Sequence, residues 1–122
     1  MSPVRALHLT DEMLLAYSRR GNFHSEPAEA ERLGLPGLVA QGMQVAGPAY
    51  GLLLDAWGGD FVAHGELDLK FVGMVSGGET VDASVSVAGD EAQLEVENRD
   101  SGRTAVVGSA RRVSGNCRIR VL

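Results

Sequence analysis

Between Gln41 and Trp57 the chain carries an apolar pattern of helical period, and after Gly58-Gly59 that period changes to two. Met43, Ala46, Tyr50, Leu53, Leu54 and Trp57 fall on one side of the predicted helix, while Val45, Gly47, Ala49, Gly51 and Leu52 keep the rest small or apolar. A helix that is apolar nearly all round is buried on most sides. Pro48 lacks a backbone N–H and is expected to kink it. Downstream, Leu67, Leu69 and Phe71 alternate with Glu66, Asp68 and Lys70; Val81, Ala83, Val85 and Val87 alternate with Thr80, Asp82, Ser84 and Ser86; Leu94 and Val96 alternate with Glu95 and Glu97. Ala105 to Val113 gives a fourth strand, and the breaks at Val75-Ser76-Gly77-Gly78, Ala88-Gly89-Asp90-Glu91 and Asp100-Ser101-Gly102-Arg103 are turn-like. Alternation with polar outer faces predicts an antiparallel sheet with one buried face. One long apolar helix and a four- or five-stranded meander bury each other most simply when the sheet wraps around the helix, an α+β arrangement.

The flanks are lighter in signal. Thr10 followed by Asp11-Glu12 predicts a helix start, with Met13, Leu14 and Tyr17 on one face and an end near Arg19-Arg20-Gly21. Ser25-Glu26-Pro27 opens a second short helix with Ala30 and Leu33 as its apolar side, ended by Gly34. Val4–Leu9 is a candidate edge strand, and Ile119–Leu122 either adds another strand or frays. The 122 residues are read as one domain, 1–122, without linker or repeat. A net charge of −5 argues against a generic nucleic-acid partner. No apolar run reaches the ~18 residues of a membrane span, and MSPVRALHLTDE has no signal-peptide apolar region. The single cysteine, Cys117, cannot form an internal disulfide and fits a reducing compartment, so the expectation is a soluble cytoplasmic protein.

Gly21-Asn22-Phe23-His24-Ser25-Glu26, then Ala30, Gly34 and Val39-Ala40-Gln41-Gly42-Met43, resemble the signature of the MaoC-like dehydratases, which include the R-specific enoyl-CoA hydratases. Leu69-Lys70-Phe71-Val72 and Gly77-Gly78-Glu79-Thr80 are similar to a second family run, so the likeness spans roughly residues 10 to 113. It implies the hotdog fold, an antiparallel sheet wrapped around a long central helix. It also implies hydration or dehydration of an acyl thioester carried by coenzyme A or an acyl carrier protein, with no cofactor and no metal. His24 stands for the motif histidine, Asn22 for the motif asparagine, Glu26 for the following acid and Gln41-Gly42-Met43 for the opening of the helix. The family pairs its histidine with an aspartate. Here the corresponding position is Arg19, or Arg20 with one deletion, so the Asp-His dyad is not intact.

The residues themselves support such chemistry. A histidine near neutral pKa both donates and accepts protons at pH 7, and His24 lies in a loop between two predicted helices. Free N–H groups at the start of a helix, here about Gly42-Met43, can hold the charge that develops on a thioester oxygen. Without a side chain, Gly42 leaves its backbone open to approach. Catalytic work is thus assigned to His24, Asn22 and Gly42, and substrate binding to Glu26, Gln41, Met43, Arg19 and Arg20. Glu26, Asp60, Glu66 and Asp68 are the carboxylates that folding would have to bring in to replace the missing aspartate; their ordinary readings are a helix cap, a turn residue and a solvated strand face. Arg111-Arg112 joins Arg19-Arg20 as a basic pair suited either to solvent or to phosphate. His64 and His24 lack any known metal-ligand spacing. The same scaffold also serves thioesterases and non-catalytic subunits, which stay open as alternatives. A sheet edge and a helix mouth left exposed predict a homodimer with its sites near the interface.

Overall fold

The computed structural model describes residues 3–17, 25–35 and 37–122. Chain order is β1 (Val4–His8), α1 (Asp11–Tyr17), α2 (Pro27–Arg32), α3 (Gly42–Trp57), α4 (Gly59–His64), β2 (Gly65–Phe71), β3 (Thr80–Ala88), β4 (Glu91–Asn98), β5 (Thr104–Arg112) and β6 (Arg118–Val121). Six strands form one sheet in the order β1-β3-β4-β5-β2-β6. Only β3, β4 and β5 follow one another as a meander. β2 crosses over to pair antiparallel with β5, and β6 lies parallel to β2 on its other side. The hotdog arrangement expected from the sequence is present, with the strand count raised to six and one parallel pair among them.

The inner face of the sheet is the alternating apolar set. Leu67, Leu69, Val81, Ala83, Val85, Leu94, Val96 and Val106 are buried against Val45, Ala46, Ala49, Leu52 and Leu53 of α3 in a single core. Trp57 and Phe61 close its far end with ring centroids 5.5 Å apart. Gly65 is required there, because a Cβ would stand 2.3 Å from the Phe61 ring and 2.4 Å from its carbonyl oxygen. The helix runs on through Pro48, which is itself buried. It is not enclosed all round: Met43 and Gly47 are exposed and Tyr50 and Leu54 are half-buried, so one stripe of α3 is left uncovered by the sheet.

Local signals at the flanks account for α1 and α2. The Thr10 hydroxyl accepts from the Met13 N–H at 3.2 Å, the expected N-cap. In α2, Ala30 is buried, whereas Leu33 is exposed and belongs to the turn after the helix, where Gly34 takes φ +76°. Residues 18–24, where α1 was expected to end, lie outside the described residues. Asp60, expected in a turn, opens α4, and His64 closes it.

The outer face of the sheet carries the charges. Glu66 accepts from Arg111 of β5 at 2.7 Å and from Arg118 of β6 at 2.8 Å. Asp68 pairs with Arg120, and Asp82 with Arg99. Hydrogen bonds from Arg111, Arg120 and Arg99 hold the carboxyls of Glu66, Asp68 and Asp82 below their ordinary values. A lowered folded-state pKa means that the unfolded chain takes up protons first. The stabilisation is therefore complete above the ordinary values of 4.5 for Glu66 and 3.8 for the two aspartates, and is lost as pH falls through the lowered ones. Thermal unfolding scans should show a melting temperature that holds at neutral pH and drops below about pH 4.

Candidate functional site

The start of α3 is the place the sequence singled out, and the structure gives it shape. Gln41 is the N-cap, with extended backbone and no side-chain capping bond, and its carbonyl accepts from Val45 N–H at 3.1 Å. The first amides of a helix have no intrahelical acceptor, so Gly42 and Met43 present N–H groups at the positive end of a helix of 16 residues. Gln44 ties this end to α1, its Nε2 donating to the Met13 carbonyl at 3.0 Å, while its Oε1 is buried without a hydrogen-bond partner.

Two neighbours of this end were not legible in the sequence. Phe71, at the end of β2, lays its ring over Gly42; a Cβ there would stand 2.5 Å from the ring. The expectation that Gly42 leaves open backbone is corrected accordingly: that side is filled by Phe71, itself 37% exposed. The lead-in to α3 is held by the loop between β2 and β3. Ala40 N–H donates to Val75 O at 2.8 Å, and Gly77 N–H to Leu38 O at 2.9 Å. Asp11, at the start of α1, packs its carboxyl into the space that a Gly77 Cβ would take. This puts an acid beside the lead-in to α3 that the sequence offered only as a first-turn helix residue.

An apolar pocket of about 210 Å³ starts from the same end and follows the uncovered stripe of α3. Met43, Ala46, Gly47 and Tyr50 line it from the helix, Leu67 from β2 and Ile119 from β6. Nothing stands within 4 Å of where a Gly47 Cβ would be, so this glycine leaves the pocket open.

The other sequence candidates are distributed differently. Asn22, His24, Arg19 and Arg20 lie outside the described residues. Glu26 is half-buried at the N-cap of α2 and makes no side-chain capping bond, against its expected role as a cap. Glu66 and Asp68 alternate with the buried Leu67 and Leu69 and so face away from α3, clamped by arginines. Asp60 stands in α4, beyond the C-terminal end of α3, 3.6 Å from Arg112. At ~1.5 Å per residue, α3 is about 24 Å long, so Asp60 is remote from the Gly42 end. Of these three, Glu66 and Asp68 face away from α3 and Asp60 lies at its other end. Arg112 is also occupied, pairing with Asp90 at 2.7 Å and lying 5.4 Å over the Trp57 ring, and Arg111 serves Glu66. His64 faces the Gly115 carbonyl at 2.7 Å and anchors the loop before β6. Among the described residues no group of three or more His, Cys, Asp or Glu could hold a metal, and no helix is long and apolar enough to cross a membrane.

The six-stranded sheet wrapped around α3 is a hotdog domain. The MaoC-like domain family model matches residues 6–108, and the chain belongs to that family. The fold is similar to that of an (R)-hydratase of A. caviae involved in PHA biosynthesis, with TM-score 0.76, 19% identity, and coverage of 93% of this chain and 95% of that one. It is also similar to the R-hydratase PhaJ1 of Pseudomonas aeruginosa, with TM-score 0.76, 17% identity and coverage of 95% and 81%. A third likeness is to the ChsH1–ChsH2 complex of Mycobacterium tuberculosis, with TM-score 0.71, 15% identity and coverage of 91% and 94%. No curated protein matches the sequence.

Proposed function

We propose that this chain is a hydratase/dehydratase of acyl thioesters, interconverting a short trans-2-enoyl and a 3-hydroxyacyl group carried by coenzyme A or an acyl carrier protein. One observation carries the reading: the helix end whose first amides have no intrahelical acceptor carries Met43, and Met43 lines an apolar pocket that runs along the same helix. A thioester carbonyl set against the Gly42 and Met43 amides places its acyl chain along Met43, Gly47 and Tyr50, and the pocket volume suits a short chain. As water adds to the β-carbon, charge moves onto the thioester oxygen, where those amides stabilise it. His24 then serves as the acid/base group and Asn22 positions the water or the thioester, while Gln41, Met43, Glu26, Arg19 and Arg20 complete the substrate contacts. An arginine in the place of the family aspartate cannot take a proton at pH 7, since its guanidinium is already protonated there. Water activation falls to His24, with Asp11 as the carboxylate that the fold brings to this end of the molecule.

The uncovered stripe of α3, continued by Ile119 and Val121 of β6, supports a homodimer formed across this face, with the two sites close to the interface. A second reading, a non-catalytic subunit of a hetero-oligomer, draws on the altered dyad and on the likeness to a two-chain complex. Cytoplasmic placement rests on an exposed free thiol, Cys117. Wild-type protein incubated with a short trans-2-enoyl-CoA should deplete the enoyl absorbance without releasing free thiol. Thiol release instead would establish a thioesterase. No turnover, with tight binding to a second hotdog chain, would establish the subunit.

A further inference from the structure

Phe71 departs from the rest of its strand. It follows Leu67 and Leu69 on the inward side of β2, where those two are buried, yet Phe71 is 37% exposed. A core aromatic of the same protein, Phe61, is 1% exposed. The backbone of Phe71 is nevertheless fixed. It stands in register with Val106 of β5, and the next two amides, Val72 and Gly73, both donate to the Ala105 carbonyl, at 2.9 and 3.2 Å. Gly73 is held close as well, since a Cβ there would stand 2.6 Å from the Thr104 carbonyl oxygen. The sheet, and not a free loop, therefore carries the ring to the head of α3.

Three consecutive ring atoms, Cδ2, Cε2 and Cζ, lie 2.5, 2.5 and 2.7 Å from where a Gly42 Cβ would be. Ordinary bond lengths and angles put that point about 2.5 Å from the Gly42 nitrogen, so the nearest ring atoms lie within about 5 Å of it. Gly42 is the first residue of α3, and its N–H has no intrahelical acceptor to hold it. A glycine also has the widest backbone freedom of any residue. The ring stops Gly42 from turning toward β2, and it fills ground from which water would approach. Amides aimed at a developing charge act most strongly when they are fixed beforehand and water is kept away.

We propose that Phe71 is a positioning residue for the Gly42 and Met43 amides: it braces them and screens them from water on the β2 side, and acts through them without touching the reacting atoms. Its effect on turnover rests on the thioester reading above; the brace itself does not.

Two variants of the full chain test this. Phe71→Leu removes the ring but keeps an apolar side chain at a partly open position, so the melting temperature should stay at the wild-type value. Phe71→Tyr keeps the ring. In ligand-free protein, NMR should show the Gly42 and Met43 amides exchanging with water several-fold faster in the leucine variant and at the wild-type rate in the tyrosine variant. The Val45 amide, bonded to the Gln41 carbonyl, should not change in either. With a short trans-2-enoyl-CoA, kcat should fall about tenfold in the leucine variant, less than the loss of a whole oxyanion donor. KM should stay within about twofold, and the tyrosine variant should turn over as wild type does. A wild-type protein inert toward the enoyl thioester would remove the thioester reading, and the exchange rates would still decide the brace. Gly42 and Met43 exchange unchanged in the leucine variant would overturn the inference. So would a raised KM with kcat unchanged, or a loss of kcat as large in the tyrosine variant.

Discussion

His24→Ala is expected to lower the turnover of an enoyl thioester by roughly 10²-fold or more, the usual scale for losing a general acid/base, while the circular dichroism spectrum and melting temperature stay at wild-type values. On the proposed reading Arg19 or Arg20 stands in the aspartate position, so this chain has less to fall back on than an enzyme that shares proton transfer between an aspartate and a histidine. Arg19→Asp is the complementary change. Restoring an acid at that place should raise hydration, and steady-state rates of wild type and the two variants on one enoyl-CoA compare all three directly. A His24→Ala protein that turns over at the wild-type rate removes His24 from the chemistry.

Leu53→Asp should abolish soluble folding. Leu53 is fully buried within the core between α3 and the sheet. The substitution loses about 2–5 kcal/mol of packing and places an unpaired charge costing roughly another 3–5 kcal/mol, against a total stability of about 5–15 kcal/mol for a typical domain. Expression of the variant with the soluble fraction measured on a gel checks this. A soluble variant with an unchanged melting transition would mean that the buried side of α3 is misassigned.

The elements that the sequence disclosed are those whose own residues carry a period. The helix from Gly42 to Trp57 and the inner faces of β2 to β5 are visible because apolar side chains recur at helical or twofold spacing over many residues. α4 was not visible, since six residues from Gly59 to His64 are too few for a period and Gly58-Gly59-Asp60 reads as a turn. Strand order was hidden for another reason. That β2 pairs with β5 and β6 is a matter of long-range register, and it decides that Glu66 and Asp68 meet Arg111, Arg118 and Arg120. Those acids could be placed on an outer face from their alternation with Leu67 and Leu69, but not matched to their arginines.

At the site, the helix opening at Gln41-Gly42-Met43 was legible from residue types and spacing. Phe71 over Gly42 and Asp11 against Gly77 were not, because each contact joins segments that are distant in the chain. Glycines were the available signal. Gly42 and Gly77 each mark a place where another side chain fills the space of a Cβ, but a sequence does not name the residue that fills it.

Everything proposed for the reaction depends on a thioester docking at the head of α3. The measurement that tests this most directly is amide chemical-shift mapping of the labelled protein titrated with a saturated short-chain acyl-CoA, which binds without turning over. The Gly42 and Met43 amides should shift most, together with Gly47 in the pocket and Phe71 above Gly42. Shifts confined to the outer face of the sheet, with the Gly42 and Met43 amides unmoved at saturation, would contradict the assignment.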